Sequence, residues 1–364
     1  MRNRKIIRRL HAEQYLLQTL ISFAISVSLT RLLLYLTGYS QLGNSELHIA
    51  HVLWGGLFLF VAVLLPILFA NRFIRIWSAI LSGIGVGLFI DEVGKFISQS
   101  NDYFYPSAAP IIYGVFLLTL LVYVTFRRKK HLDAREELYA ITQLLEEILD
   151  HDLTNSDRLE MLERLQHVKN DCKDPQLLSL ADNLTKYLNN KNLEIVSDDD
   201  FFLRIQSRWV TFENRWFSRS RTKAILIGVM VGMATWMIYM PATMLLASRS
   251  SEKITVLLIQ LINQRLLSNS NGIYWFEARL MLDAAMGLVL LVASFLFLIK
   301  QDRRAIGLAY IALMVTITVV NILVFYYDQF STIFSAVIQF LLMMGILRYR
   351  KRFLGDNLDV SRSR

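Results

Sequence analysis

One apolar run of the chain ends in the sequence Gly83-Ile-Gly-Val-Gly-Leu-Phe-Ile-Asp-Glu-Val-Gly-Lys-Phe96. Two carboxylates and a lysine stand here where a membrane-spanning helix normally carries Leu or Phe. Small residues at helical spacing let a second helix approach closely, and charge at membrane depth is costly unless it is paired or lines a polar cavity. We therefore expect Asp91 to face protein rather than lipid. The helix face that carries it also contains Gly83, Gly87 and Gly94.

Apolar runs of this kind recur along the chain. It has 364 residues, 54% of them hydrophobic, and only five prolines that could interrupt helices. Eight apolar runs have the length of roughly 17–25 residues that spans about 30 Å of hydrocarbon. The sequence therefore predicts an all-α membrane protein embedded in a lipid bilayer. Its eight transmembrane helices are expected at about 15–37, 48–70, 73–97, 110–126, 224–247, 275–299, 305–327 and 331–347.

The distribution of positive charge predicts the orientation. The net charge is +9, but Lys and Arg cluster at the ends of the apolar runs, which argues for membrane topology and against nucleic-acid binding. The loops 38–47, 98–109 and 328–330 contain no Lys or Arg. Both termini and the segment 127–223 are therefore predicted to be cytoplasmic. The segment 248–274 breaks the charge pattern, and its helical apolar spacing predicts an amphipathic helix on the outer surface.

A polar segment separates two sets of four spans. Residues 131–200 carry 17 acidic against 7 basic side chains, and three helices are expected there, at about 133–150, 156–170 and 175–190. This insert is interpreted as a packing or self-association module, or as the binding site of a cytoplasmic protein partner. Residues 201–223 alternate Trp and Phe with Arg, which predicts an interfacial helix on anionic lipid. The predicted organisation is 1–130, a four-span half; 131–200, the acidic insert; 201–223, the interfacial helix; 224–354, a second four-span half; and 355–364, a polar tail.

Sparse matches between the two halves suggest an internal repeat. His51 is followed four residues later by Gly55, and Asp283 by Gly287. Both pairs fall near the outer ends of the second and sixth spans. Two parallel four-helix halves, related by an axis along the membrane normal, are a known plan of transporters.

Charged residues of several spans fall at one level near the predicted outer surface. At a rise of about 1.5 Å per residue, Asp91 lies ~24 Å and Asp283 ~25 Å from the basic anchors of their spans. The membrane centre is almost free of charge, which favours a polar site open to the outside over a relay across the bilayer. The predicted solute- or ion-binding residues are Asp91, Glu92, Lys95, His51, Asp283, Arg31, Arg279 and Asp328.

Three chemistries are open to these residues. The first is structural ion pairing, with Asp91–Lys95 and Arg279–Asp283 at the i, i+4 spacing and Arg31 near Glu92 or Glu46. The second is a partly desolvated carboxylate that couples proton or cation binding to movement. The third is a divalent metal such as Zn, because imidazole and carboxylate are suitable ligands. The predicted metal ligands are His48, His51 and Asp91.

Three functions follow from these chemistries. The first is ion- or proton-coupled transport, or solute binding, at the outward-facing polar site. The second is a metal-dependent membrane hydrolase, in which His48, His51 and Asp91 hold the metal and Glu92 is the general base. The third is a non-catalytic membrane sensor or scaffold that acts through the acidic insert. The chain contains no Gly-x-Ser-x-Gly and no His-Glu-x-x-His motif, so an enzymatic activity is left open.

Three segments resemble a family of uncharacterised bacterial polytopic integral membrane proteins. They are Glu46-Leu-His-Ile-Ala-His-Val-Leu-Trp-Gly-Gly56, then Gly87-Leu-Phe-Ile-Asp-Glu-Val-Gly-Lys-Phe96 with Asn101-Asp-Tyr-Phe-Tyr105, and Val324-Phe-Tyr-Tyr-Asp-Gln-Phe330. The resemblance covers the two membrane halves and not the acidic insert. It implies one shared architecture and a place in the bacterial inner membrane, and it brings no activity.

Overall fold

The computed structural model describes residues 6–37, 51–100, 102, 103, 105–127, 132–190, 193–196, 217–247, 270–328 and 332–354. These residues form a succession of helices. In chain order they are α1 (Ala12–Leu36), α2 (His51–Leu68), α3 (Arg72–Asp91), α4 (Val93–Ile97), α5 (Ala108–Arg127), α6 (Ala134–Leu149), α7 (Asn155–Asp171), α8 (Pro175–Leu188), α9 (Arg219–Ala247), α10 (Ser270–Leu298), α11 (Asp302–Val315), the π-helix π1 (Thr316–Val320), α12 (Asn321–Asp328) and α13 (Ile333–Phe353).

Eight helical segments are long and apolar enough to cross a membrane. They are α1, α2, α3, α5, α9, α10, the continuous run from α11 through π1 to α12, and α13. The predicted class, an all-α membrane protein with eight spans, is confirmed. One predicted boundary was wrong: the third span was expected to continue to residue 97. It ends at Asp91 because Glu92 leaves the helical conformation (φ −89°, ψ 6°) before the short α4 begins.

Two other predicted helices fall largely outside the described residues. Of the predicted interfacial helix at 201–223, the structure describes only the last seven residues, and Arg219 to Lys223 form the first turns of α9. The amphipathic helix expected at 248–274 lies outside the described residues up to 269. Both therefore stay predictions.

The chain divides into two compact units. Unit 1 comprises residues 1–90 and 118–209, and unit 2 comprises residues 91–117 and 210–364. The division passes through α3 and α5, and it groups the acidic insert with α1 to α3.

In unit 1, glycines of α3 let α1 approach closely. A Cβ atom added at Gly83 would lie only 2.3 Å from the carbonyl oxygen of Thr19, and one at Gly87 only 2.7 Å from the Cβ of Ser26. The Thr19 hydroxyl donates a hydrogen bond to the Ala79 carbonyl at 3.0 Å across the same interface. The expectation of a close helix neighbour on this glycine face is confirmed. Because residue numbers rise together along the interface, α1 and α3 begin at the same end of the unit.

The acidic insert folds around its own apolar core. Helices α6 and α7 begin with capping boxes, formed by Asp133 with Glu136 and by Thr154 with Asp157. Reciprocal side-chain to backbone bonds of this kind satisfy the free N–H groups of a first turn. The three helices match the predicted ranges within two residues. Their buried core consists of Leu138, Ile141, Leu144, Leu153, Met161, Leu165, Val168, Ala181 and Leu188.

The insert is joined to the start of α3 by ion pairs. Arg72 contacts Glu147 at 3.0 Å, and Arg75 contacts Glu146 at 2.5 Å. The Asn71 amide adds a hydrogen bond to the Asp150 carboxylate. These arginines were predicted to set membrane topology. The structure gives them a second role, since they neutralise the C-terminal end of α6.

In unit 2, α9, α10, α11 and α13 share one core. Small residues such as Ala234, Ala293 and Ala309 are fully buried there and bring the helix axes together, while Phe297 and Tyr349 fill the space at one end. The predicted repeat gains no support from its aligned glycines. Gly55 contacts α3, the third span of its half, whereas Gly287 contacts α9, the first span of the other.

Candidate functional site

Two buried carboxylates mark the break between α3 and α4. Asp91 is 0% exposed and Glu92 is 1% exposed. The Tyr103 hydroxyl donates a 2.5 Å hydrogen bond to Asp91 Oδ2. The Lys95 ammonium lies 3.5 Å from Glu92 Oε1 and 5.5 Å from the centre of the Tyr103 ring. Gly94 permits this arrangement, because a Cβ there would lie 2.8 Å from the Tyr103 carbonyl oxygen.

The break in the helix explains why the expected ion pairing shifted. A continuous helix would place Lys95 one turn beyond Asp91, which is why the sequence predicted that pair. Since Glu92 interrupts the helix, the structure brings Lys95 to Glu92 and gives Asp91 a phenolic hydrogen-bond donor. The sequence thus identified the residues and missed Tyr103 as their partner.

A second cluster surrounds Arg279 on α10. Its guanidinium binds Asp328 at the end of α12 through both Nη atoms, with Nη1 3.0 Å from Oδ1. The predicted pair with Asp283 is also present, with Arg279 Nε 3.6 Å from Asp283 Oδ2. The guanidinium carbon lies within 6 Å of the ring centres of Phe276 and Tyr327. Arg279 is 4% exposed, and a forked, charge-assisted contact of this kind is a strong one.

Both clusters lie at the same end of unit 2. α4 packs next to the start of α5, since a Cβ at Gly94 would lie 3.2 Å from the Cβ of Ala108. One turn further along α5, Tyr113 stacks on Phe325, with ring centres 4.5 Å apart. Phe325 lies three residues before Asp328 on α12. We call Asp91, Glu92, Lys95, Arg279, Asp283 and Asp328 together the acidic layer.

A neutral polar network lies deeper in the same unit. The Tyr113 hydroxyl donates to the Ile317 carbonyl at 2.7 Å. The Asn321 amide donates to the Tyr113 oxygen at 3.1 Å and to Gln339 Oε1 at 2.7 Å. All three side chains are buried. Sequence reasoning missed this network because it looked for charge. The available signal was an Asn and a Gln inside two apolar spans, where unpaired amides are costly.

A third cluster closes the opposite end of unit 2. Asp302, the first residue of α11, accepts hydrogen bonds from Lys223 at 2.6 Å, Arg219 at 3.2 Å and the Tyr349 hydroxyl at 2.9 Å. It thereby ties α9, α11 and α13 together. A carboxylate is also favourable at a helix N-terminus, where backbone N–H groups are unpaired. Asp302 is inconspicuous in the sequence, because it lies between Lys300 and Arg303 in a basic stretch typical of a membrane boundary.

The remaining predicted site residues lie elsewhere in the chain. Arg31 is buried on α1, and His51 is the first residue of α2, both in unit 1. His48 lies outside the described residues, so the metal site of His48, His51 and Asp91 stays a prediction. Within the residues that the structure describes, no group of three His, Cys, Asp or Glu side chains is arranged to hold a metal ion.

Models of protein families, curated proteins and solved structures gave no match to this chain. Its function is therefore inferred from its own side chains and their surroundings.

Proposed function

We propose that this protein is a multi-pass protein of the bacterial inner membrane that binds a cation or a proton at the acidic layer and couples that binding to transport. The observation that carries the proposal is the burial of Asp91 and Glu92, 0% and 1% exposed, at a break in a membrane-spanning helix. Ionised groups at membrane depth are costly and mark ion pathways and proton relays. A buried ion pair adds little stability over apolar packing, which favours a functional role for these residues over a purely structural one.

The positions of the helix breaks support the same proposal. The third span is interrupted at Glu92, and the seventh is interrupted by π1. These two spans occupy corresponding places in the two predicted four-span halves. Paired interruptions at corresponding positions are where transporters built from repeats bind substrates and coupling ions. In this protein Asp91 and Glu92 lie at the first interruption, and Asp328 lies at the end of the helix that follows the second.

The orientation is part of the proposal. The N-terminal segment, the start of α3 and the insert meet at one end of unit 1, where the Leu10 N–H donates to Gln143 Oε1 and Arg72 pairs with Glu147. That end is rich in Lys and Arg, which favours the cytoplasmic side. Since α3 begins at that end, Asp91 at its other end would lie on the outer side. The bacterial location rests on the resemblance of three segments to bacterial membrane proteins.

The test is cation-dependent stabilisation of the detergent-purified protein. A ligand that binds only the folded state stabilises it, and the Tm rises with the logarithm of the ligand concentration above its Kd. We expect one cation, or protons, to raise the Tm of the wild type, and Asp91→Asn to abolish that rise. Asp182→Asn is the matched control, because Asp182 is an exposed carboxylate of α8 in the insert. Identical responses of wild type and Asp91→Asn to every cation and to pH would reject the proposal. Stoichiometric zinc, lost in Asp91→Asn, would favour the hydrolase instead.

The folded insert favours a second candidate, a sensor or scaffold. It has its own core, capped helices and a fixed contact with α3, and it leaves Tyr139 and Tyr187 exposed. A photo-crosslinking residue in place of Tyr187, in the full-length protein in cells, should then yield one defined adduct with a cytoplasmic protein. The same residue in place of Trp236, which is exposed on the apolar helix α9, is the control. Equal adduct patterns at the two positions would argue against this candidate.

A further inference from the structure

The seventh span changes its hydrogen-bond register at π1. The N–H of Asn321 reaches back five residues to the Thr316 carbonyl, whereas α12 beyond it is α-helical. A single π turn inside an α-helix adds one residue to the turn. In α-helical spacing the N–H of Asn321 would donate to the Ile317 carbonyl, four residues back. Because it bonds to Thr316 instead, Ile317 loses that main-chain donor.

Tyr113 supplies the missing donor from another span. Its hydroxyl donates to the Ile317 oxygen at 2.7 Å. A buried carbonyl without a donor is costly in a membrane span, so this one hydrogen bond stabilises the π turn. The Asn321 side-chain amide donates one hydrogen bond to the Tyr113 oxygen and another to Gln339 of α13. Three spans therefore meet at the register change, with every one of these side chains buried.

The hydrogen-bond register of π1 determines which way the Asp328 side chain is directed. Asn321, Phe325 and Asp328 lie on one face of α12, at helical spacings of four and three. Tyr113 contacts the first two of these residues, and Arg279 binds the third. In an α-helix each residue advances by about 100° around the axis. If π1 relaxed to the α-helical spacing without loss of a residue, α12 would rotate by about that angle and Asp328 would turn away from Arg279.

We infer that Tyr113 is a positioning residue of the acidic layer: its hydroxyl holds the π-helical register that directs Asp328 onto Arg279. A role for this positioning in cation binding rests on the proposed function. The ion pair itself can be measured directly, so the positioning and the cation binding can fail independently of each other.

The test uses Tyr113→Phe, which removes the hydroxyl and keeps the ring that stacks on Phe325. The readout is carbodiimide-driven coupling of an amine to carboxylates, quantified by mass spectrometry in the full-length protein in detergent. We expect labelling of Asp328 to rise to the level of the exposed Glu277, with Glu277 itself unchanged. Tyr310→Phe is the matched control on the same span, because the Tyr310 hydroxyl makes no hydrogen bond to any residue that the structure describes.

A deletion variant tests whether the change in Asp328 labelling can be reversed. Removing Val319, which is exposed on the apolar surface of π1, takes out the extra residue and lets the span continue as an α-helix with α12 in its present orientation. Labelling of Asp328 should then stay at its wild-type level, and adding Tyr113→Phe should have no further effect on it. Unchanged labelling of Asp328 in Tyr113→Phe would overturn the inference, even if the Tm fell. So would raised labelling of Asp328 that the Val319 deletion failed to reverse.

Discussion

Arg279 binds Asp328 with two nitrogens of its guanidinium, and 49 positions of sequence separate the two residues. The contact joins α10 to the end of the seventh span. Because Arg279 is 4% exposed while the Asp328 side chain is 35% exposed, the pair lies at the edge of water, with its cation on the protein side.

The forked geometry should make Arg279 irreplaceable by lysine. Arg279→Lys keeps the charge and loses the two parallel hydrogen bonds, since an ammonium cannot match both carboxylate oxygens. Arg279→Gln removes the charge, and we expect it to reduce the free energy of unfolding by about 2–3 kcal/mol, below the range for fully buried pairs because Asp328 is partly solvated. Denaturant titration in detergent measures both losses. Equal stability of the Lys variant and the wild type would mean that the fork contributes nothing.

The close approach of α1 and α3 predicts a position-specific effect of one methyl group. Gly83→Ala would place its Cβ 2.3 Å from the Thr19 carbonyl oxygen, which is main chain and cannot rotate away. We expect a loss of about 1–3 kcal/mol, the usual range for overpacking. Gly56→Ala is the control, because no atom that the structure describes, apart from the backbone of its own helix and its chain neighbours, lies within 4 Å of its added Cβ. It should be neutral or slightly stabilising, since alanine favours helix. Similar Tm values for the two variants would contradict the observed packing.

The sequence predicted best those features of the fold that a local pattern of residues decides. Apolar length alone located eight spans, since a membrane imposes that length on any spanning helix. The spacing of Gly83 and Gly87 identified a packing face. The cluster around Asp302 could not be predicted in this way. Its partners Arg219 and Lys223 lie about eighty positions away, and only the packing of α9 and α11 against the same two helices, α10 and α13, brings them together.

The register change at π1 shows a second limit of sequence reasoning. Residues 316–320, Thr-Ile-Thr-Val-Val, are ordinary membrane-helix residues, and nothing in them distinguishes five-residue from four-residue spacing. The five-residue spacing is stabilised by the hydrogen bond from Tyr113, which lies 204 positions from Ile317. Asn321 and Gln339 are the only local trace of the network, because amides in apolar spans need partners. Asn321 and Gln339 are uncharged, so a search for charged residues does not find them.

Ion pairing of the insert predicts that its docking depends on salt. Glu146→Gln together with Glu147→Gln removes the partners of Arg75 and Arg72. Both pairs are partly exposed, so we expect a combined loss of about 1–2 kcal/mol in docking, with a smaller loss at high ionic strength. Hydrogen exchange of the backbone amides of α6 should quicken accordingly. Glu194→Gln is the control, since Glu194 is 84% exposed. Unchanged exchange in the double variant would show that apolar contacts alone hold the insert.

His11 predicts the pH dependence of the same junction. Burial lowers the pKa of His11 from its ordinary 6.5, with Glu160 opposing that shift and Arg72 adding to it. As the pH falls below 6.5, the unfolded chain therefore takes up a proton before the folded protein does, and the free energy of unfolding decreases. His11→Asn should reduce this decrease, because Asn tolerates the positive φ of 54° at this position and does not titrate.

The Tm measured from about pH 5 to 8 covers the histidine range. His167→Asn, at an exposed position of α7, should keep the wild-type slope. A His11→Asn variant with the full wild-type slope would assign the pH dependence to other groups.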